Sequence, residues 1–196
     1  GEVMLKRALD LALGSFALFM FTPVLLVIAI AIKLDSSGPV LFRQRRLGFN
    51  QREFQIVKFR TMTVMDDGDV VRQATRNDQR VTRVGRVLRR WNLDELPQLL
   101  NVLAGQMSLV GPRPHAIAHD REFDDRIALY ARRHNVKPGI TGWAQVHGLR
   151  GETDTDAKMK ARVEHDLFYI DNWSILLDIE ILFRTVFSRK AYDNAF

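Results

Sequence analysis

With 196 residues, 46% of them hydrophobic and none of them cysteine, the chain can bury the core of one domain, and disulfides, thiolate catalysis and sulfur-rich zinc sites are excluded. The formal charge of +6 is unevenly spread: residues 1–113 carry 17 Lys+Arg against 10 Asp+Glu, the remainder 12 against 13. A basic first half suits anionic lipid, nucleotide or nucleic acid, and composition does not choose among the three.

The first element is an uncharged run of 22 residues, Leu11 to Ile32. At roughly 1.5 Å per residue, a straight helix of that length crosses the ~30 Å core of a bilayer. A signal peptide fits poorly, because the apolar stretch is long and no small-residue cleavage pattern follows. Thr22-Pro23 sits in the middle of the run, where proline deletes a backbone hydrogen bond and bends a helix. Both flanks are basic, with Lys6 and Arg7 before and Lys33, Arg43, Arg45 and Arg46 after. The positive-inside tendency would therefore keep both ends in the cytoplasm. A re-entrant hairpin bent at Thr22-Pro23, an ordinary span and a buried core helix all stay open on these residues.

After a turn at Ser36-Ser37-Gly38-Pro39, short strands are expected at Val40–Phe42 and Phe54–Phe59, around a turn at residues 47–50. Met65 to Asp78 is polar and irregular, and we expect a mobile loop. Val81–Trp91 reads as a basic helix, Glu95–Leu103 as another closed by Gly105, and Asp120–Arg133 as a further charged helix. A glycine-rich loop at residues 138–142 leads into a short apolar piece, Trp143–Val146, and Ala157–Asp166 opens a last helical region. Leu167 to Phe187 is apolar but interrupted by Asp171, Asp178, Glu180 and Arg184, which is too charged to span. It reads as an amphipathic helix, set either in the headgroup region or on the core. The fold class that follows is α+β, mainly helical with short strands. Residues 1–36 form the membrane element and residues 37–196 the remaining domain.

The chemistry concentrates in Leu93-Asp94-Glu95-Leu96-Pro97. Pro97 is tolerated only in the first turn of a helix, so Asp94 is expected at the N-cap with Glu95 beside it. Ordinary helix capping explains those residue types on its own. The surroundings add a second reading. Arg80, Arg83, Arg86, Arg89 and Arg90 precede the pair, and Gly111-Pro112-Arg113-Pro114 holds a further arginine in a stiff backbone. Guanidinium groups are the preferred partners of phosphate, and a carboxylate among them can attack phosphorus. An oxygen-only pair of this kind also suits magnesium.

Other motifs are weaker. Asp154-Thr155-Asp156 has the D-x-D pattern of metal-binding glycosyltransferases, but so short a pattern is more often a polar loop. Asp66-Asp67-Gly68-Asp69 lacks the rest of a calcium loop, and His115 and His119 lack the glutamate of a zinc-protease helix. Nucleic-acid binding rests on basicity alone, which a membrane surface explains equally well, so no nucleic-acid partner is expected.

Seven stretches in order resemble a known family: Lys6-Arg7…Asp10, Gly38-Pro39-Val40-Leu41-Phe42-Arg43-Gln44, Lys58-Phe59-Arg60-Thr61-Met62, Arg80-Val81-Thr82-Arg83-Val84-Gly85, Leu93 to Leu99, Val110-Gly111-Pro112-Arg113-Pro114 and Lys137 to Val146. Together they are similar to the bacterial sugar transferases, the monotopic polyprenyl-phosphate phosphoglycosyl transferases. The resemblance implies a re-entrant membrane helix broken at Thr22-Pro23, on the cytoplasmic face of the bacterial inner membrane. It also implies a magnesium-dependent, two-step reaction between a UDP-sugar and undecaprenyl phosphate. Asp94 would attack the β-phosphate and release UMP, and Glu95 would share a metal or proton role with it. Arg89 and Arg113 match phosphate-facing arginines, and Lys58 and Arg60 lie in a matching motif. Residues 148–156 (GLRGETDTD) resemble a larger subgroup that transfers glucose 1-phosphate in exopolysaccharide synthesis, with galactose 1-phosphate as the second expectation. The start at Gly1 fits a catalytic piece of such a longer protein, and a homo-oligomer is compatible with the sequence.

Overall fold

The computed structural model describes residues 1–63, 67–68 and 70–188. Helix α1 (Glu2–Asp35) contains the apolar run and is assigned as one helix through Pro23. Among the described residues it is the one helix long and apolar enough to cross a membrane. Thr22 Oγ1 donates to Leu18 O at 2.8 Å, a back-bond that bends helices as the missing proline N–H does. Asp10, Gly14, Ile28 and Ile32 are buried and share one face of α1. The middle of the helix is bare, with Phe19 77% exposed.

Both ends of α1 are tied to the same body. At its start, Lys6 Nζ donates to Asp178 Oδ2 (2.5 Å) and Val110 O (3.1 Å). Arg7 donates to the carbonyls of Val102 and Leu103, and Asp10 accepts from Ser108 Oγ and the Leu109 N–H. At its end, Lys33 donates to Gly38 O, and Asp35 accepts from the Val84 N–H. Ile28 and Ile32 pack there with Phe59 and Leu88.

The body opens with an antiparallel hairpin, β1 (Leu41–Leu47) and β2 (Glu53–Phe59), in the register Leu41↔Phe59 to Leu47↔Glu53. Its first strand runs past the expected Phe42 to Leu47. The alternation of a strand then puts Phe42, Gln44, Arg46, Phe54, Ile56 and Lys58 on one face. Phe54 and Ile56 join Val102 and Met107 in the core, while the polar members of that face look into a cleft.

Next come α2 (Arg83–Arg90), capped by Thr82 through the Gly85 N–H, and α3 (Gln98–Leu103). The expected helix over residues 95–103 is shorter and starts later. Leu93–Glu95 forms a separate 3₁₀ turn, and Pro97 itself occupies the N-cap of α3. Asp94 therefore caps no α-helix. A two-stranded parallel sheet pairs β3 (Ser108–Val110) with β4 (Gly139–Thr141), so part of the expected glycine-rich loop is strand. A Cβ on Gly139 would collide with the Gly111 backbone, so both positions must lack one for these chains to meet.

Helix α4 (Ile117–Arg126) ends earlier than the expected Arg133, and a left-handed Leu129 turns the chain into a 3₁₀ segment, Tyr130–Asn135. The chain closes with α5 (Trp143–Val146), α6 (Asp156–Asp171) and α7 (Ile175–Phe187). Residues 167–187 are thus two helix segments, because Ser174 caps α7 through the Leu177 N–H. The molecule is mainly helical with short strands, as the sequence reading expects.

Candidate active site

Asn92, immediately past α2, is left-handed (φ 55°, ψ 23°), a conformation asparagine tolerates better than most residues. It reverses the chain so that the 3₁₀ turn delivers Asp94 and Glu95 into the cleft, each only 5% exposed. Lys58 Nζ, from β2, stands between them at 3.7 Å from Asp94 Oδ2 and 3.6 Å from Glu95 Oε1. Arg113 Nη2 reaches Glu95 Oε1 at 2.5 Å, and Arg150 Nη2 lies 3.5 Å from Glu95 Oε2. Arg89 donates Nε to Thr61 Oγ1 at 2.9 Å, and its charge acts on Asp94. Gly85 has no Cβ to strike the Thr61 carbonyl, which lets α2 lie against this segment.

The two carboxyls are not equivalent. Burial pushes Asp94 up from the ordinary carboxylate range, and the Glu95 charge adds to that, against the pull of Lys58 and Arg89. Burial also works against the Glu95 anion, but Arg113, Lys58 and Arg150 outweigh it and hold Glu95 well below the usual range. Burial lowers Lys58 despite both carboxylates. Asp94 is thus a costly, weakly held anion beside a firmly held one.

The cleft has a volume of about 250 Å³, and eight Lys and Arg side chains line it against these two carboxylates. Of the expected residues it gathers Lys58, Arg89, Asp94, Glu95 and Arg113. Arg60 is the exception. Its Nε donates to Pro39 O, Nη1 to Ser36 Oγ and Nη2 to Ser36 O, so it fastens the turn after α1 and does not line the cleft. Arg46, Arg150 and Arg162 line it unanticipated, as do Thr61 and Asn92. Of the basic helix only Arg89 turns inward, while Arg83, Arg86 and Arg90 are exposed.

The rival motifs have other occupations. Asp154 pairs with Lys158, Asp156 pairs with Arg126, and neither lines the cleft. His119 Nε2 bonds to Val71 O, and His115 Nδ1 to Tyr130 Oη. Of the expected loop, Met65, Asp66 and Asp69 lie outside the described residues. Its later part is held across the cleft by Gln73, which bonds to Thr153. No group of three or more His, Asp or Glu that could hold a metal occurs among the described residues. Two adjacent carboxylates are nonetheless what magnesium takes from a protein when phosphate and water supply its other ligands. The donor set fits that ion.

The family description "bacterial sugar transferase" matches residues 1–190. A UDP-glucose:undecaprenyl-phosphate glucose-1-phosphate transferase of Escherichia coli K12 is 57% identical over 94% of this chain and 40% of its own length. A protein of the same name from Caulobacter vibrioides is 54% identical over 97% of this chain and 72% of its own. The exopolysaccharide production protein PSS of Rhizobium leguminosarum is 48% identical over the full length of both. The chain spans about two fifths of the Escherichia coli relative's length.

Proposed function

The chain belongs to the bacterial sugar transferase family, and from that premise we propose that it moves a sugar 1-phosphate from a UDP-sugar to undecaprenyl phosphate through a covalent intermediate on Asp94. The observation that carries this reading is the buried Asp94–Glu95 pair at the head of a strongly cationic cleft. In the first step an Asp94 carboxylate oxygen bonds to the β-phosphorus. The bond from that phosphorus to the bridging oxygen breaks, and UMP departs with that oxygen and its electron pair. In the second step a phosphate oxygen of undecaprenyl phosphate attacks the same phosphorus and Asp94 leaves. No proton need be supplied in either step.

The residues divide this labour by their surroundings. Asp94 is the less firmly paired carboxylate, as a nucleophile must be, whereas Glu95 is held by three cations. Lys58, Arg89 and Arg113 offset the charge of an anion approaching an anion. Magnesium, held by Asp94 and Glu95, would supply further neutralisation of the phosphate oxygens. Glucose is the favoured sugar, from the names of the relatives, and galactose, which the family resemblance implies, is the second to try.

A lipid acceptor requires the cleft to stand at a membrane surface; several features support a membrane-seated helix that re-enters, and the basic residues flanking its apolar run favour the cytoplasmic side. The exposed apolar middle of α1 calls for a non-aqueous environment, whereas its polar contacts at both ends engage one body. An ordinary span would have to abandon one set of those contacts, and a re-entrant helix bent near Thr22-Pro23 keeps both. Helix α7 leaves Leu176, Ile179, Phe183 and Phe187 exposed, as suits a helix lying in the headgroup region.

The test is nucleotide release from UDP-glucose and UDP-galactose with undecaprenyl phosphate and magnesium. UMP is the expected product, and UDP would point to glycosyl transfer instead.

A further inference from the structure

Arg46 and Arg162 line the cleft and form no ion pair with a carboxylate among the described residues. Arg46 donates Nη1 to Pro114 O and Nη2 to Gln44 Oε1, both at 2.5 Å, and its buried Nε has no partner. Arg162 donates Nε to Leu149 O and Nη2 to Gly151 O, both at 3.1 Å, and its Nη1 lies 3.4 Å from His115 Nε2. Neither forms an ion pair within 4.0 Å among the described residues. Burial and then Arg113 bring each down to about 10, against the pull of Asp120 and Glu95 on Arg46 and of Asp166 on Arg162. The groups that hold them orient them without neutralising them. Burial, then Arg133, Arg162 and Arg46, keeps His115 neutral. Tyr130 Oη (2.6 Å) and Arg133 Nη1 (3.2 Å) both face Nδ1. In the tautomer with the proton on Nδ1 it is Nε2 that accepts from Arg162, while Arg133 donates to Tyr130 Oη. Buried cations without a counter-ion are costly until an anion joins them.

Their place in the fold says which anion. The Asp94–Glu95 turn follows Leu93, which packs on the cluster of Ile28, Ile32, Phe59 and Leu88 and so adjoins the membrane helix. Arg162 instead rises from α6 between Met159 and Val163, in a cluster that contains no residue of α1. A phosphate tethered to lipid reaches the first end of the cleft, and a water-borne phosphate suits the second.

We propose that Arg46 and Arg162 form a separate anion subsite that binds the phosphate of the departing nucleoside monophosphate, an assignment that rests on the phosphoglycosyl-transfer reading above. When the bridging bond breaks, negative charge grows on that phosphate, and two unneutralised guanidinium groups stabilise it where it forms.

The experiment titrates UMP into the full chain in lipid nanodiscs by calorimetry, for the unmodified protein, Arg46→Gln and Arg162→Gln, alongside the KM for undecaprenyl phosphate. Losing hydrogen bonds to a charged phosphate predicts UMP binding weakened by about 10- to 100-fold in each variant, with the KM for the lipid within about twofold. UMP binding as tight as in the unmodified protein overturns the assignment. So does a rise in the lipid KM with UMP binding intact, which would give the pair to the acceptor. Should Arg46→Gln lose its cooperative thermal transition, Arg46→Lys keeps the charge without the guanidinium fork, and a loss of about 3- to 10-fold is then expected. The titration needs no turnover. Absence of UMP release by the unmodified protein would therefore sink the transfer reading alone, while unchanged UMP binding in the variants would sink the subsite alone.

Discussion

Two buried polar clusters lie side by side in this molecule and are built on opposite plans. In one, Arg133 Nε meets Asp166 Oδ2 at 2.7 Å, with both side chains at most 3% exposed, and Tyr130 donates to Asp120 at 2.6 Å. There the charge of Arg133 is met by that of Asp166, and Arg133 also holds the carbonyl of Arg113 at 2.5 Å. In the other, eight cations line a cleft with two carboxylates; Arg80 is paired with Asp78 beside it, and among the described residues Arg46 and Arg162 form no ion pair. A balanced cluster secures a fold. An unbalanced one has a cost that an anionic ligand relieves.

The contrast breaks most visibly at Asp94. Asp94→Asn should reduce UMP release by about 10⁴-fold or more, as removal of a nucleophile does, with membrane association retained. Stopped-time nucleotide assays and flotation of the variant check both parts. In the balanced cluster, Arg133→Met should leave Asp166 buried and unpaired at a cost of about 3–5 kcal/mol, read as a lowered denaturation midpoint.

Within the dyad, stability should move in opposite directions. Glu95→Gln removes a well-paired anion and should cost about 1.5–3 kcal/mol at neutral pH. Asp94→Asn removes a penalised one and should leave the protein equally or more stable. The pH dependence follows the same signs. Asp94 is raised on folding, so its contribution favours the folded state at low pH and fades as pH rises through the raised value. Glu95 is depressed, so its contribution is present above the ordinary carboxylate range and fades as pH falls through the depressed value. Thermal midpoints of the two variants across a pH series check both signs. Turnover of the unmodified protein should also fail on acidification earlier than an ordinary aspartate would dictate, because Asp94 must be ionised to attack. The smallest effect belongs outside the cleft: Asp154→Ala and Asp156→Ala should leave turnover within about twofold, since surface substitutions rarely matter.

Much of this arrangement is legible in the sequence. The apolar run, the hairpin and the basic helix follow from patterning and turn residues, the grouping of Asp94 and Glu95 with arginines from their spacing, and the placing of Lys58 with them from the family resemblance. Arg60 departs from the expectation because a motif places a residue near a site without saying which way its side chain turns. Arg46 and Arg162 stay hidden for a related reason, since a lone arginine in a charged stretch reads as solvated surface. Arg46 had a usable signal, because alternation from Lys58 through the hairpin register puts it on the same face once β1 is extended to Leu47. Arg162 had none, as its place depends on the packing of α6 against His115. The start of α3 is misjudged because Pro97 is equally at home at the N-cap, which frees Leu93–Glu95 to form its own turn.

The most direct test of the central claim is mass spectrometry of the protein after incubation with UDP-glucose and magnesium, with no lipid acceptor present. A hexose phosphate on the Asp94 peptide, formed together with one equivalent of UMP and absent from Asp94→Asn, is the predicted result. UMP formed only when undecaprenyl phosphate is added, with no adduct on Asp94, would contradict the account.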